Sequence, residues 1–219
     1  MKICKVEGCN GKCCAKGLCS KHYMQMRNHG RVMDNEYKNE IIEYEDYAEV
    51  ILYNRNHKEV GRVLIDLDDV ELVGKYKWYI DKGYAYNKQI DFMHRLIMNY
   101  PEGMVIDHIN HNKLDNRKCN LRICTSAENS RNRKKQKGSY SSKYKGVYYD
   151  KQKNKWRVRV CVNNKPKHIG YYESEEEGVR AYDRACIKYH KEFCNTNFPI
   201  EDYTDYIFEL GYNIDDFIR

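Results

Sequence analysis

The 219-residue chain contains no apolar run approaching the roughly 18 residues that a membrane span requires. Its first ten residues, MKICKVEGCN, also lack the apolar centre of a secretory signal. Together these absences predict a soluble protein that works in the cytoplasm. Acid is missing in one place: Asn129 to His168 carries fourteen Lys and Arg against a single acid, Asp150. Base is scarce elsewhere, since Asp34 to Glu71 holds twelve acids and four bases, and the stretch after Pro199 has six acids with Arg219 as its one base. The net charge of +7 is therefore concentrated. A charge run is commonly just a solvated face, but Tyr, Trp and alternating Val interleave these bases, which points to a nucleic-acid surface and a polyanionic partner.

Ten cysteines are present, five of them within the first 19 residues. Without an export signal, thiols or metal ligands are expected rather than disulfides. Cys4, Cys9, Cys19 and His22 have the spacing of a ligand set, with Gly8, Gly11 and Gly17 supplying turns. Three thiolates and an imidazole suit tetrahedral Zn²⁺, which can hold together a segment too short for a core of its own. Cys13 and Cys14 are spare candidates, and a set of free thiols is the competing reading. The segment, down to GLCSKHY, resembles short zinc-binding modules at the front of many phage and bacterial endonuclease-like proteins.

From Glu49 to Phe92, EVILYN, GRVLIDL, KYKWYID and GYAYNK read as short strands of a small mixed sheet, and MHRLIMNY as a short helix stopped by Pro101. Trp78 is expected in the core, and His94 as a packing histidine. In VIDHINHNKLDNRKCNLRICTSAEN, Val105 and Ile106 enter a strand closed by Asp107 and His108, and LRIC returns antiparallel to it. Thr125 and Glu128 fit a capping box, so a helix starts near Ser126 and Asn129 sits on its first turn, facing the strand of Asp107. Oxygens from Asp107 and Asn129 can hold a hard divalent cation such as Mg²⁺ or Mn²⁺. His108, on the other side of the strand, can take a proton from water. That combination suits phosphodiester hydrolysis.

These residues resemble the HNH nucleases, whose ββα-metal motif joins a strand ending in His, a loop braced by Asn, and a helix carrying the last metal ligand. The resemblance makes His108 the general base, Asn120 the loop-bracing Asn, and Asp107 with Asn129 the metal ligands. It implies cleavage to a 5′-phosphate and a 3′-hydroxyl. Asn129 replaces the family's final His, as in the phage homing-endonuclease branch, and His111 stands where many relatives have Gly. The host would then be a bacterial or phage-infected cell.

Arg131, Arg133, Lys134 and Lys135 extend the helix and should hold the DNA backbone, before Gly138 opens a Ser-rich linker. Beyond it, strict alternation in KWRVRVCV puts Trp156, Val158, Val160 and Val162 on one face and Arg157, Arg159 and Cys161 on the other. Ser174 and Glu177 form a second capping box, opening a helix whose Val179, Tyr182, Cys186 and Tyr189 face the sheet. With YKGV, IGYY, RAYDRA and NTNFP, this stretch resembles the plant Apetala/ethylene-response-factor family of DNA-binding domains. The resemblance implies a three-stranded antiparallel sheet on one helix that reads double-stranded DNA through Lys145, Tyr148, Arg157, Arg159 and His168.

The expected architecture is therefore α+β and modular. A zinc-binding module occupies 1–33, an HNH nuclease domain 34–137 with its motif at about 104–136, the ethylene-response-like domain 138–199, and an acidic tail 200–219. A monomer or weak dimer is expected, and a DNA-binding regulator with an inert HNH scaffold is the alternative.

Overall fold

The computed structural model describes residues 2–6, 9, 11–30, 32, 39–136 and 138–217. Near the N-terminus a two-stranded hairpin, β1 (Cys13–Ala15) and β2 (Leu18–Cys19), runs into α1 (Ser20–His29). Strands β3 (Ile41–Glu43), β4 (Ala48–Tyr53) and β5 (Glu59–Ile65) form one sheet. After the short α2 (Val70–Gly74), strands β6 (Tyr79–Asp81), β7 (Tyr84–Asn87) and β8 (Asp91–Phe92) form a second, followed by α3 (Met93–Met98). The single mixed sheet expected here is thus corrected to two separate antiparallel sheets. Within each sheet the connections are turns of a few residues, too short for the crossover that parallel neighbours need.

Val50 and Leu52 of β4, Val63 and Ile65 of β5, Trp78 and Met93 share one buried core. Removing side chains of this size from water contributes about 1.5–3 kcal/mol each. The Trp78 indole donates to the Val73 carbonyl (3.0 Å), which satisfies its one polar atom. Asn39 joins the two sheets: its side chain accepts from the Trp78 amide (2.7 Å) and donates to the carbonyls of Ile51 (2.9 Å) and Trp78 (3.1 Å).

Strand β9 (Val105–His108) pairs antiparallel with β10 (Leu121–Cys124), and α4 (Ser126–Asn132) follows at once. Thr125 and Glu128 make the reciprocal capping box that starts α4. Further on, β11 (Val147–Asp150), β12 (Lys155–Val162) and β13 (Lys165–Tyr172) form a sheet in that order, backed by α5 (Glu175–His190). Val158 and Val160 point into the core with Val147, Val179, Tyr182 and Cys186, as the alternation requires. Ser174 and Glu177 cap α5, and three glutamates in its first turn, with Lys188 in its last, suit the helix dipole. Gly146 is obligatory: its φ is +76°, and a Cβ there would lie 2.0 Å from the Tyr182 ring.

The acidic C-terminal stretch is folded against α5. Ile200 and Tyr203 lead into α6 (Thr204–Glu209), and Tyr203 and Ile207 close a small core with Ile187. Asp183, fully buried, accepts from the amides of Asn197 (2.8 Å) and Phe198 (3.0 Å) and from the Tyr203 hydroxyl (2.8 Å), anchoring this segment. Nor is the Ser-rich stretch after Gly138 a free linker, because Ser141 Oγ accepts from the Tyr149 amide (2.9 Å) and Ser142 Oγ from the Tyr144 amide (3.0 Å). Among the described residues no helix is long and apolar enough to cross a membrane.

Candidate functional site

The ligand atoms of Cys4, Cys9, Cys19 and His22 all lie within 4.8 Å of one another. Cys19 immediately precedes α1 and His22 sits in its first turn, while backbone pairing of Cys4 with Gly11 brings the first two cysteines alongside. Cys9 Sγ lies 3.8 Å from Cys19 Sγ, and Cys4 Sγ is 3.2 Å from His22 Nδ1. Two thiolates about 2.3 Å from a tetrahedral ion are about 3.8 Å apart, so the set fits a metal. Burial pushes the Cys4 thiol up, but hydrogen bonds from His22 and the backbone outweigh it and bring it down to about 6. Cys13 and Cys14 stay outside this group, on β1.

The second constellation lies around β9. Its register sets Asp107 opposite Arg122 and His108 opposite Leu121, so the two side chains leave opposite faces of the strand. Asp107, His108, His111, Asn129 and Asn132 line one cleft of about 430 Å³, with Arg133 and Lys134 at its edge. Asn120 braces the loop between β9 and β10, accepting from the Asn110 amide (2.9 Å) and donating to the Asp115 carbonyl (2.8 Å). Asp115 in turn receives Arg117 (2.8 Å to each carboxylate oxygen) and the Asn110 side chain (3.0 Å). His111 adopts φ +66°, the left-handed conformation that glycine takes freely.

His108 Nε2 lies 3.0 Å from Asn116 Oδ1. With that carbonyl as acceptor, Nε2 carries the proton and Nδ1 keeps a lone pair. Burial lowers the His108 pKa, which keeps the ring neutral. His94 packs edge-on against it, ring centroids 5.0 Å apart, and burial, assisted by His108 and Arg95, pushes His94 down to about 3. An unfolded histidine titrates near 6.5, so below that pH the unfolded chain binds more protons than the folded one. The His94 contribution is complete above about pH 6.5 and declines as pH falls toward 3. His94 alone is expected to remove about 2 kcal/mol between pH 7 and pH 5. Urea midpoints at the two pH values measure it, and a His94→Gln protein that loses just as much would count against this origin.

Three residues of this site were not anticipated from sequence: Asn116 beside His108, and Arg122 and Asn132 on Asp107. Arg122 donates through Nε (2.9 Å) and Nη2 (2.7 Å) to Asp107 Oδ2, and Asn132 Nδ2 donates to the same oxygen (2.9 Å). The signal for Asn132 was its position three residues beyond Asn129, on the same helix face.

Tyr148, Arg157, Arg159 and His168 share the solvent face of the C-terminal sheet, since Tyr148 pairs with Arg157 and Arg159 with His168 across the strands. Both guanidinium groups stack on the Tyr148 ring (5.8 and 5.6 Å). Two of the expected DNA contacts depart from this picture. Lys145 Nζ donates to the carbonyls of Arg131 and Arg133 (2.6 Å each), and Lys135 Nζ to those of Ser142 (2.9 Å) and Tyr144 (2.7 Å). Open carbonyls at the end of α4 and in the turn beyond it attract these ammonium groups inward. Arg133 and Lys134 remain exposed, and Arg131 is half-buried.

A family model described as HNH endonuclease matches residues 91–131, the span holding α3, the β9–β10 pair and most of α4. The chain belongs to the HNH endonuclease family: it is 33% identical over 142 residues to an uncharacterized HNH endonuclease of Acanthamoeba polyphaga mimivirus, a match covering 61% of this chain and 73% of that protein. It is also 36% identical over 72 residues to an ethylene-responsive transcription factor of Arabidopsis thaliana, covering 32% of this chain and 17% of the relative. An APETALA2-like protein of Oryza sativa is 33% identical over 67 residues, 31% of this chain and 15% of the relative. The chain therefore spans a small part of each plant protein. No solved structure matches.

Proposed function

We propose that the chain is a metal-dependent, sequence-reading DNA endonuclease of homing type. The observation that carries this reading is the meeting of Asp107, His108 and Asn129 in one cleft beneath a loop braced by Asn120. Among the described residues the hydrogen bonds to Asp107 fall on Oδ2, leaving Oδ1 and the Asn129 amide oxygen as a hard donor pair for Mg²⁺ or Mn²⁺. Such a cation, when bound, supplies positive charge to the scissile phosphate and the leaving oxygen. His108 Nδ1 takes the proton of the attacking water, and Asn116 holds the ring in the tautomer that leaves this nitrogen free. The products are a 5′-phosphate and a 3′-hydroxyl.

Arg131, Arg133 and Lys134 hold phosphates beside the cleft, contributing affinity without reading sequence. Tyr148, Arg157, Arg159 and His168 lay the C-terminal sheet into the major groove of double-stranded DNA. The similarity of this segment to plant transcription factors supports that role. Zn²⁺ held by Cys4, Cys9, Cys19 and His22 stabilises residues 1–33, the nuclease part occupies 34–137, and the reading unit 138–199 is buttressed by 200–219. One nuclease site per chain fits a monomer or weak dimer that nicks.

Supercoiled plasmids carrying a broad target library test the proposal: open-circle product should form with Mg²⁺ and not with chelator. DNA that is bound yet never cut would instead favour a regulator. Arg157→Ala and Arg159→Ala should each weaken binding to the preferred site by about 1–3 kcal/mol and relax its sequence. Equal losses on all sequences would make these arginines phosphate contacts.

A further inference from the structure

Arg122, one of the two residues that hold Asp107, is itself held from outside the nuclease part of the chain. Arg122 is largely buried, with its side chain 11% exposed against 6% for Asp107. Two of its nitrogens grip Asp107 Oδ2, and the third, Nη1, donates to the Glu192 carbonyl (2.5 Å), just beyond α5 of the C-terminal unit. The Phe193 ring then covers the guanidinium at 4.1 Å. The planar fork is thus pinned at one edge by the carboxylate, at the other by a backbone carbonyl, and on its face by an aromatic ring. A second bridge acts on α4, the helix of Asn129 and Asn132, where Lys145 binds the last carbonyls.

We propose that the C-terminal unit completes the nuclease site: Glu192 and Phe193 fix Arg122, and Arg122 fixes Asp107 so that its free carboxylate oxygen faces the metal. This rests on the reading of Asp107 as a metal ligand. Arg122 and Phe193 are positioning residues. They would not touch substrate, and their effect falls on the affinity for the divalent cation. Partners behind a metal ligand typically govern 10- to 100-fold in metal affinity. An ammonium presents all its donors from a single nitrogen and lacks the opposed edges and flat face of the guanidinium fork, so lysine does not replace Arg122.

The test is a calorimetric Mn²⁺ titration of the full, zinc-loaded chain without DNA. Arg122→Gln and Arg122→Lys should each bind Mn²⁺ about 10- to 100-fold more weakly than the parent. Phe193→Ala, which keeps the arginine, should lose about 2- to 5-fold, and Phe193→Tyr should restore the parent value. Binding of DNA in chelator should be unchanged in the Phe193 variants, because the groove-facing residues lie on a different element. Arg122→Gln binding Mn²⁺ as tightly as the parent, or more tightly, would overturn the proposal and make Arg122 a competitor for the site. Uptake by the parent no different from that by Asp107→Ala would remove the metal reading itself, and the proposal with it. If Arg122→Gln does not fold, as judged by thermal melting, the Phe193→Ala and Phe193→Tyr pair decides alone, with equal affinity in the two refuting it.

Discussion

His108→Ala is expected to lower metal-dependent plasmid nicking by about 10²- to 10⁴-fold, the range supplied by a positioned general base. The imidazole has the features such a base requires. It is buried at the end of β9, its pKa is lowered by that burial, and its Nε2 lies 3.0 Å from Asn116 Oδ1. His94 cannot take over readily, because it packs against Phe92 and Tyr84 and is held far below neutral titration. His111 is the instructive control, since it lines the same cleft on a left-handed backbone. If His111→Ala proves the more damaging change, the base has been assigned to the wrong imidazole. Asp107→Ala should be as inactive as His108→Ala at low Mg²⁺ and should also leave Arg122 buried without its partner, so its melting temperature should fall. His108→Ala leaves the Asp107–Arg122 pair intact, so its melting temperature should fall only by what the lost Asn116 contact and ring packing contribute.

The split between what sequence revealed and what it hid follows from range. Both capping boxes and the alternation in β12 are encoded within a few residues, where local hydrogen bonding and sterics decide. The cysteine and histidine quartet was legible because ligand chemistry restricts residue type as well as spacing. Arg122 was hidden because its pairing with Asp107 exists only in one register of β9 against β10, and register is a tertiary choice. Lys135 and Lys145 misled for a different reason: their acceptors are backbone carbonyls, which leave no mark in a sequence, so two cations in a basic run looked available when they brace the junction between two units. Composition suggested a linker for the Ser-rich stretch and left the order of the acidic tail open. A few well-placed groups, Ser141, Ser142, Tyr203 and Ile207, tie them down.

If Cys4, Cys9, Cys19 and His22 hold a metal as proposed, its removal should unfold the hairpin β1–β2 and α1 and leave the rest standing. The module buries Cys4, Leu18 and Cys19, with Val6, Tyr23 and Met26 partly covered. Leu18 contributes about 2–3 kcal/mol of apolar burial, whereas ordering a residue costs about 1–2 kcal/mol in backbone entropy alone, so even a handful of ordered residues outweighs such a core. Structural zinc supplies about 10–16 kcal/mol of apparent binding free energy in small modules, enough to reverse that balance. The main nuclease core, with Val50, Leu52, Val63, Ile65 and Trp78, has no such dependence. Limited proteolysis after exhaustive chelation should therefore cut within α1 and the hairpin before any other region. Cys9→Ser and Cys19→Ser should reproduce the pattern without chelator, and metal analysis should give about one zinc per parent chain, as a single tetrahedral site requires. Equal protease resistance with and without metal would show that the four side chains sit together for packing alone, and the hairpin would then need another source of stability than its small core provides.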